Sequence, residues 1–200
     1  MILVRHGQSE FNAAFNRTRV DPGIRDPGLT EEGRRQAAAA AEALQTQAIE
    51  RLVVSPYRRT LETATIIADR LSLPITIEPL VRERAFFVCD IGSPRADLAL
   101  AWPRYRFDHL EECWWPGTEE SETELLDRCA RFRTAMAATP DWHKVAVVTH
   151  WGFIRGLTGQ EAGSCEMVRF DPVAGRIDSQ TDPGADGACI PMPAQTPLQD

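Results

Sequence analysis

The sequence predicts an α/β protein with a mostly parallel sheet, and two observations carry that prediction. Short apolar runs of strand length, such as Met1–Val4 and residues 52–54, alternate with longer segments whose apolar residues recur at helical spacing. This alternation favours parallel pairing, because each helix carries the chain back across the sheet. Residues 84–117 show neither period and are therefore expected to form an irregular insertion.

The N-terminal part of the chain is expected to form a strand and two helices. Met1–Val4 is a buried strand, and residues 9–15 form a short helix after a turn at Gly7. A loop rich in proline and glycine follows. Thr30 is expected to cap a second helix that runs to about Gln47, since glutamates in its first turn favour the helix dipole.

The remaining elements follow from the same periods. Strands are expected at 52–54, 75–77, 145–148 and 165–170, and helices at 57–71, 95–101, 153–157 and from Thr118 or Ser121 to about Ala138. Residues 1–170 are predicted to form one domain. From Asp171 onward the chain is rich in Pro, Gly, Asp and Gln, so residues 171–200 are expected to be a poorly ordered tail.

The composition argues against several classes of function. Of the 200 residues, 43% are hydrophobic and 26% are charged, and the net charge of -7 disfavours a nucleic-acid partner. No stretch is apolar and long enough to cross a bilayer, and the first strand begins at Met1, which leaves no room for a signal peptide. We therefore expect a cytoplasmic protein that binds neither nucleic acid nor membrane. Its five cysteines are widely spaced, with no C-x-x-C pair, and are expected to be free thiols.

Two of the apolar runs end in the same way, with a histidine at the tip and a glycine shortly after. The first ends in Arg5 and His6, and the run at 145–148 is followed by His150 and Gly152. In open α/β sheets, ligands bind beyond the carboxyl ends of the strands. If the two strands are neighbours, two imidazoles and an arginine meet at one edge of the sheet, where they can attack and hold a phosphoryl group.

Phosphoryl transfer to a side chain requires a neutral nucleophile, cations around the phosphoryl oxygens and an acid for the leaving alcohol. His6 can be the nucleophile, and Glu83 can be the acid. Arg5, Arg58 and His150 can hold the oxygens, helped by the free N–H groups of the helix that starts near Arg58. Because arginines would do the electrostatic work, the reaction requires no metal and no cofactor.

Several motifs of this chain, in their order and spacing, resemble the signature of the histidine phosphatase superfamily, which includes the cofactor-dependent phosphoglycerate mutases. They are LVRHGQSEFN at 3–12, DPGLTEEGRRQA at 26–37, VVSPYRRTLETA at 53–64, a glutamate at 83 and VVTHWGFIRGL at 147–157. The resemblance covers residues 1–170 and implies a three-layer α/β/α sandwich with a mostly parallel central sheet, in which the 84–117 insertion acts as a lid.

The resemblance also implies a role for each matching position. His6 resembles the nucleophile that becomes phosphohistidine, and Glu83 resembles the general acid that later activates water as a base. Arg5, Arg58 and His150 resemble the phosphate pocket, Asn12 a polar residue near the phosphate, and Ser9 and Gly152 positions beside the pocket. Arg59 is interpreted as structural or exposed. The predicted reaction is metal-independent hydrolysis of a small phosphorylated metabolite.

Three other functions fit parts of the sequence. A phosphoglycerate mutase-like phosphotransferase would use the same chemistry, although the RAFFVCD stretch after Glu83 differs from the tyrosine- and glycine-containing stretch of such mutases. A non-catalytic protein that binds phosphorylated ligands on the same fold is a second alternative, disfavoured because every expected catalytic position is filled. A metallohydrolase with His6, His150 and Glu83 as ligands is a third. Arg5 and Arg58 disfavour it, because they would repel a cation.

Loops and the last strand bear on substrate and assembly. Arginines at 17, 19 and 25 would favour substrates with more than one anionic group. The strand expected at 165–170 could be a sheet edge that pairs with a second copy of the chain, so a homodimer is a candidate assembly. Cys89, close to Glu83, is interpreted as an unreactive thiol rather than a redox switch, since nothing near it favours the thiolate.

Overall fold

A six-stranded sheet organises the protein, whose computed structural model describes residues 1–177. The strands are β1 (Ile2–Arg5), β2 (Arg51–Val54), β3 (Ile75–Ile77), β4 (Val145–Thr149), β5 (Met167–Asp171) and β6 (Arg176–Ile177). Their order across the sheet is β3-β2-β4-β1-β5-β6. The first four in this order are parallel to one another, whereas β5 and β6 each run antiparallel to their neighbours. The predicted mostly parallel sheet is therefore confirmed.

The helices follow the sequence-based expectations closely. They are α1 (Glu10–Thr18), α2 (Glu31–Leu44), α3 (Arg58–Leu71), α4 (Arg95–Ala101), α5 (Glu122–Ala137) and α6 (Trp151–Thr158). The Thr30 hydroxyl caps α2 by accepting the Gly33 N–H at 3.0 Å, and Ser121, not Thr118, caps α5. None of the helices within residues 1–177 is long and apolar enough to span a membrane.

Successive residues of the central strands point to opposite faces of the sheet and build two separate cores. Leu52 and Val54 pack on the side of α2 and α3, whereas Val53 packs on the side of α5 and α6. The strand β4 alternates in the same way. Helices therefore cover both faces, and the three-layer α/β/α sandwich is confirmed.

The insertion at 84–117 is irregular, as predicted, and includes α4 as its one α-helix. Four of its apolar side chains are buried on the α2 and α3 side of the sheet: Leu98, Phe107, Leu110 and Trp114. The Trp114 indole N–H also donates to the Ser93 carbonyl at 2.9 Å. Each such side chain contributes about 1.5–3 kcal/mol through burial. These four side chains thus anchor the insertion in the core, and the lid function implied by the resemblance stays a prediction.

The chain after β5 turns back on itself as a hairpin. The Asp171 carboxylate accepts the N–H groups of Val173 and Ala174 at 2.8 and 2.9 Å, and Gly175 adopts a φ of 65°. Residues 171–177, expected to begin the poorly ordered tail, therefore form the end of β5, a turn and β6. The rest of that prediction, residues 178–200, lies outside the described residues.

The strand expected at a sheet edge is an internal strand. β5 lies between β1 and β6, so its backbone groups are paired on both sides. The edges of the described sheet are β3 and the two-residue β6. Pairing of two chains through β5 is therefore excluded by the sheet order, and the homodimer stays a prediction without that contact.

Candidate active site

The carboxyl ends of β1 and β4 bring two histidines together. The strands are parallel neighbours with Arg5 opposite Thr149, so the next residues, His6 and His150, lie side by side. The main-chain N–H of His6 donates to the Thr149 carbonyl at 2.9 Å, and the two imidazole centroids are 5.2 Å apart. The chain leaves β1 and β4 on opposite faces of the sheet, which is the arrangement that opens a ligand crevice in α/β folds. The juxtaposition expected from the sequence is present.

A backbone contact selects the tautomer of His6. Its Nδ1 lies 2.7 Å from the carbonyl oxygen of Gly7. A carbonyl can only accept a hydrogen bond, so the proton resides on Nδ1 and the lone pair on Nε2. Burial lowers the pKa of His6 well below its usual value, and the nearby Arg59 and Arg5 lower it further. His6 is therefore a neutral imidazole with a free Nε2, as nucleophilic attack requires.

Two glycines in backbone contact hold the turn after His6. A Cβ on Gly7 would lie 2.4 Å from the Gly33 carbonyl oxygen, and a Cβ on Gly33 would lie 2.1 Å from the carbonyl oxygen of Gln8. The Gly7 N–H also donates to the Thr63 hydroxyl at 3.1 Å. The first turn of α2 and one side chain of α3 therefore fix the segment that aims His6.

His150 and Arg5 each carry a buried polar atom that no partner among the described residues satisfies. The His150 Nε2 contacts the Ser55 hydroxyl at 2.8 Å, but its Nδ1 has no partner. One Arg5 Nη donates to the Ala162 carbonyl at 2.8 Å, while its Nε has no partner. An unsatisfied buried polar group costs about 1–3 kcal/mol, so atoms of this kind are expected where a polar ligand binds.

The two arginines at the start of α3 are placed the other way round from the prediction. The Arg58 side chain is 50% exposed and its Nε donates to Glu62 Oε1 at 2.7 Å. Arg59 is 3% exposed and lies over the Tyr57 ring, 4.4 Å from its centroid. After burial, Arg59 is the strongest influence that lowers the pKa of both His6 and His150. The structure thus directs Arg59 toward the histidines and Arg58 toward the surface.

The signal for Arg59 was present in the sequence. In the segment SPYRRTLET at 55–63, the arginine that precedes Thr60 stands four residues after Ser55, which is position 59. Position 59 also adjoins Thr60 and Thr63 on the buried face of α3. The N-terminus of α3 already has a carboxylate partner, because the main-chain N–H of Arg58 donates to Asp26 Oδ1 at 2.9 Å. The expected free N–H groups at this helix start are therefore reduced.

Glu83 lies between the strand side of the site and the insertion. Its Oε1 accepts the Arg84 N–H at 2.8 Å, and a Cβ on Gly152 would lie 2.3 Å from the same oxygen. Gly152, expected beside the phosphate, thus admits the Glu83 carboxylate to the site. Burial and then the negative charge of Asp90 raise the pKa of Glu83 to about 7, against the opposing effects of Arg59, the Arg84 N–H and Arg5. A carboxyl group of this kind can both donate and accept a proton near neutral pH.

A buried ion-pair network supports the segment that carries Glu83. Arg128 of α5 donates to the carbonyls of Leu80 and Arg82 at 2.8 Å each. Glu120 accepts from Arg128 at 2.6 Å and from Arg82 at 2.8 Å, with both Arg128 and Glu120 nearly inaccessible. Sequence reasoning missed this network. The available signal was an arginine within the apolar stripe of α5.

Ser9 and Asn12 cap α1 through each other. The Ser9 hydroxyl accepts the Asn12 N–H at 3.2 Å, and Asn12 Oδ1 accepts the Ser9 N–H at 3.2 Å and the Ser9 hydroxyl at 2.9 Å. Ser9 is therefore committed to the helix start. Asn12 uses only its oxygen there, so its amide NH2 is the group that could donate to a ligand.

The part of the chain that the structure describes holds no metal-binding cluster, and it buries the thiol of Cys89 beside the site. No group of three or more His, Cys, Asp or Glu side chains within residues 1–177 is arranged to hold a metal ion. The four cysteines in that part are free thiols, and burial raises the pKa of Cys89 and raises that of Cys165 to about 12. Such thiols are poorly reactive. Cys189 lies outside the described residues.

Comparison with known proteins gives the family. The profile of the histidine phosphatase superfamily (branch 1) matches residues 1–167. The chain belongs to this superfamily. A probable phosphoglycerate mutase from Yersinia pestis is 42% identical, over 98% of this chain and 97% of the relative. A glucosyl-3-phosphoglycerate phosphatase from Mycolicibacterium vanbaalenii is 29% identical, over 92% and 88% of the two chains.

The solved structures agree on the fold. A mycobacterial glucosyl-3-phosphoglycerate phosphatase aligns with a TM-score of 0.62 and 22% identity, over 92% of this chain and 99% of the other. The histidine phosphatase fold is thereby confirmed. The names of the relatives support a phosphatase or mutase activity for this member of the superfamily.

Proposed function

We propose that this protein is a metal-independent phosphomonoesterase that hydrolyses a small phosphorylated metabolite through a phosphohistidine on His6. The observation that carries the proposal is the contact of His6 Nδ1 with the Gly7 carbonyl at 2.7 Å, beside His150 and the two arginines. This contact leaves Nε2 unprotonated. The electrostatic surroundings then decide what the nitrogen can attack.

The phosphoryl oxygens would meet Arg5, Arg59 and His150. Arg5 offers its unpartnered Nε. His150 can donate to the phosphoryl group if its hydrogen lies on the unpartnered Nδ1, and in that tautomer the Ser55 hydroxyl donates to Nε2. Asn12 can add its amide NH2. These donors replace the solvation that a phosphate loses when it enters the site, and they strengthen as charge shifts onto the equatorial oxygens.

The first half-reaction would phosphorylate His6. Nε2 attacks phosphorus, the bond from phosphorus to the ester oxygen breaks, and the leaving alcohol takes the proton of Glu83. The raised pKa of Glu83, about 7, makes the acid form abundant at neutral pH. The low pKa of His6 keeps the nucleophile neutral over the same range.

The second half-reaction would hydrolyse the phosphohistidine. Glu83, now ionised, takes a proton from a water molecule, whose oxygen attacks phosphorus. The bond from phosphorus to Nε2 breaks, and inorganic phosphate leaves. Both His6 and Glu83 return to their starting protonation states, so one pair of residues serves both steps.

Phosphate release from a panel of phosphomonoesters, measured with a chelator present, tests the proposal. Wild type should release phosphate and His6→Ala should not, whereas the matched variant His143→Ala should behave as wild type because His143 is exposed in the 3₁₀ turn before β4. Activity that disappears with the chelator and returns with a divalent metal would overturn the metal-independent mechanism.

A phosphotransferase is the second candidate, and the 42% identity with a probable phosphoglycerate mutase favours it. The two functions differ in whether water or a second hydroxyl collects the phosphoryl group from His6. An isomerised phosphoglycerate that forms without net phosphate release would decide for the mutase. The same substrate converted to free phosphate would decide for the phosphatase.

A further inference from the structure

Asp90 is a buried carboxylate that the proposed reaction does not use. It is 3% exposed and sits in the 3₁₀ turn Val88–Asp90 of the insertion. Its Oδ1 accepts from Arg59 Nη2 at 3.0 Å, and its Oδ2 accepts the N–H groups of Phe86 and Phe87 at 3.2 and 3.1 Å. Burying a carboxylate is costly unless it is paired, and here one oxygen pairs with the arginine while the other accepts main-chain N–H groups.

The turn that carries Asp90 also binds Arg59 through a main-chain carbonyl. Arg59 Nη1 donates to the Cys89 carbonyl at 2.9 Å, while the Tyr57 hydroxyl donates to the Asp90 carbonyl at 2.6 Å. The Tyr57 ring lies beneath the guanidinium. A planar guanidinium held at two nitrogens and one face has a single orientation, which a lysine could not reproduce.

Asp90 also acts on Glu83 through space. Among charged groups, Asp90 has the largest effect in raising the pKa of Glu83, while Arg59 and Arg5 oppose it. The other contacts of Glu83 are the Arg84 N–H at its carboxylate, the uncharged Gly152 of α6, and Arg128 of α5, which donates to the Glu83 main-chain carbonyl at 3.4 Å. Asp90 is thus the negative charge that bears most on the acid.

We propose that Asp90 is a positioning residue for the reaction, which orients Arg59 toward the phosphoryl group and supplies a negative charge that acts on Glu83. The inference rests on the proposed function. It joins two requirements of the first half-reaction in one side chain. It also links both to the backbone of Phe86 and Phe87, whose rings pack against each other and, through Phe87, against α1.

The test is the pH dependence of kcat/KM for an alkyl phosphate in Asp90→Asn. An amide is isosteric and keeps one acceptor oxygen, but it removes the charge. In wild type, kcat/KM should fall as pH rises through the pKa of Glu83. In Asp90→Asn that limb should move to lower pH by about one unit, the size expected for loss of one nearby like charge. An unmoved limb in a folded variant would overturn the proposal.

Two controls separate position from charge. Asp141→Asn neutralises an acid that pairs with Arg51 at the amino ends of β2 and β4, at the opposite edge of the sheet from the site. It should leave the pH limb of kcat/KM unchanged. Arg59→Lys keeps the positive charge near Glu83 but loses the held fork, so KM should rise several-fold with the pH limb in place. If Arg59→Lys has the wild-type KM, the orienting role fails.

A leaving-group comparison keeps the test informative should Asp90→Asn be less stable. For p-nitrophenyl phosphate, whose leaving group needs little protonation, kcat/KM should fall less in the variant than for the alkyl ester. Equal losses on both substrates would contradict an effect through Glu83. Failure of the proposed function itself would appear earlier, as phosphate release that persists in His6→Ala or is absent from wild type.

Discussion

The two sides of the active site are built from different kinds of structure. His6 and His150 stand at the ends of adjacent parallel strands, so main-chain hydrogen bonds determine their separation. Glu83 and Asp90 lie between β3 and α4, where the described chain has no regular element longer than a 3₁₀ turn, and buried ion pairs hold them. The comparison teaches that backbone register places the proposed nucleophile, whereas single polar side chains place the proposed proton donor.

Apart from the complete loss expected in His6→Ala, the largest effect should come from the loop side, in Glu83→Gln. The amide cannot donate to an alkoxide leaving group as an acid does, so kcat/KM for an alkyl phosphate should fall by roughly 10²–10⁴. The loss for p-nitrophenyl phosphate should be much smaller. Steady-state assays on both esters check this, and equal losses would show that Glu83 is not the acid.

The arginine pair of α3 should give the next largest effect, and only one member should matter. Arg59→Ala removes a donor that faces the developing charge, so kcat/KM should fall by about 10²–10³. Arg58→Ala removes a half-exposed pair with Glu62, worth about 0.3–0.5 kcal/mol of stability, and should leave kcat/KM near wild type. Matched phosphate-release assays on the two variants show which of the two arginines contributes to kcat/KM. The reverse ranking would restore the sequence-based assignment of Arg58.

The strand side should be sensitive to backbone displacement. Gly33→Ala would place a Cβ 2.1 Å from the Gln8 carbonyl oxygen and push the turn that follows His6. A shift of about 1 Å near the reacting atoms can cost roughly 10² in rate. Gly117→Ala is the matched control, because open space surrounds that position. A Gly33→Ala enzyme with wild-type kcat/KM would mean that the glycine contact does not aim His6.

A separate effect is expected on stability rather than on rate, and it runs opposite to activity. Because the pKa of Glu83 is raised from 4.5 to about 7 on folding, its contribution to the unfolding free energy is full below about pH 4.5 and is lost as pH rises through about 7. Glu83→Gln cannot ionise, so near pH 8 it should be more stable than wild type by up to about 3 kcal/mol, with a smaller difference near pH 5. Urea unfolding at the two pH values measures this. A variant that gains nothing at the higher pH would contradict the raised pKa.

The same contrast explains how far the sequence could predict the molecule. Strand tips with a histidine and a following glycine repeat a simple pattern, so the meeting of His6 and His150 could be predicted from the topology alone. The choice between Arg58 and Arg59 depends on which face of α3 is buried. The sequence-based assignment took Arg58, whereas the structure buries Arg59 beside the histidines. Asp90, Arg128 and Glu120 carry no motif. Their roles arise from contacts between segments distant in the chain, which only packing reveals.

Detection of phosphohistidine tests the central claim most directly. Glu83→Gln, mixed with p-nitrophenyl phosphate and quenched without acid, should be analysed by intact mass and by peptide mapping. The first step should still phosphorylate the chain, because the nitrophenolate leaving group needs little protonation. The missing base should then delay hydrolysis of the phosphohistidine. The mechanism proposed above predicts that one phosphoryl group accumulates on His6. A phosphoryl group on His150 of the variant would contradict it. So would a variant with no phosphoryl group on either histidine, if wild type turns over the same ester.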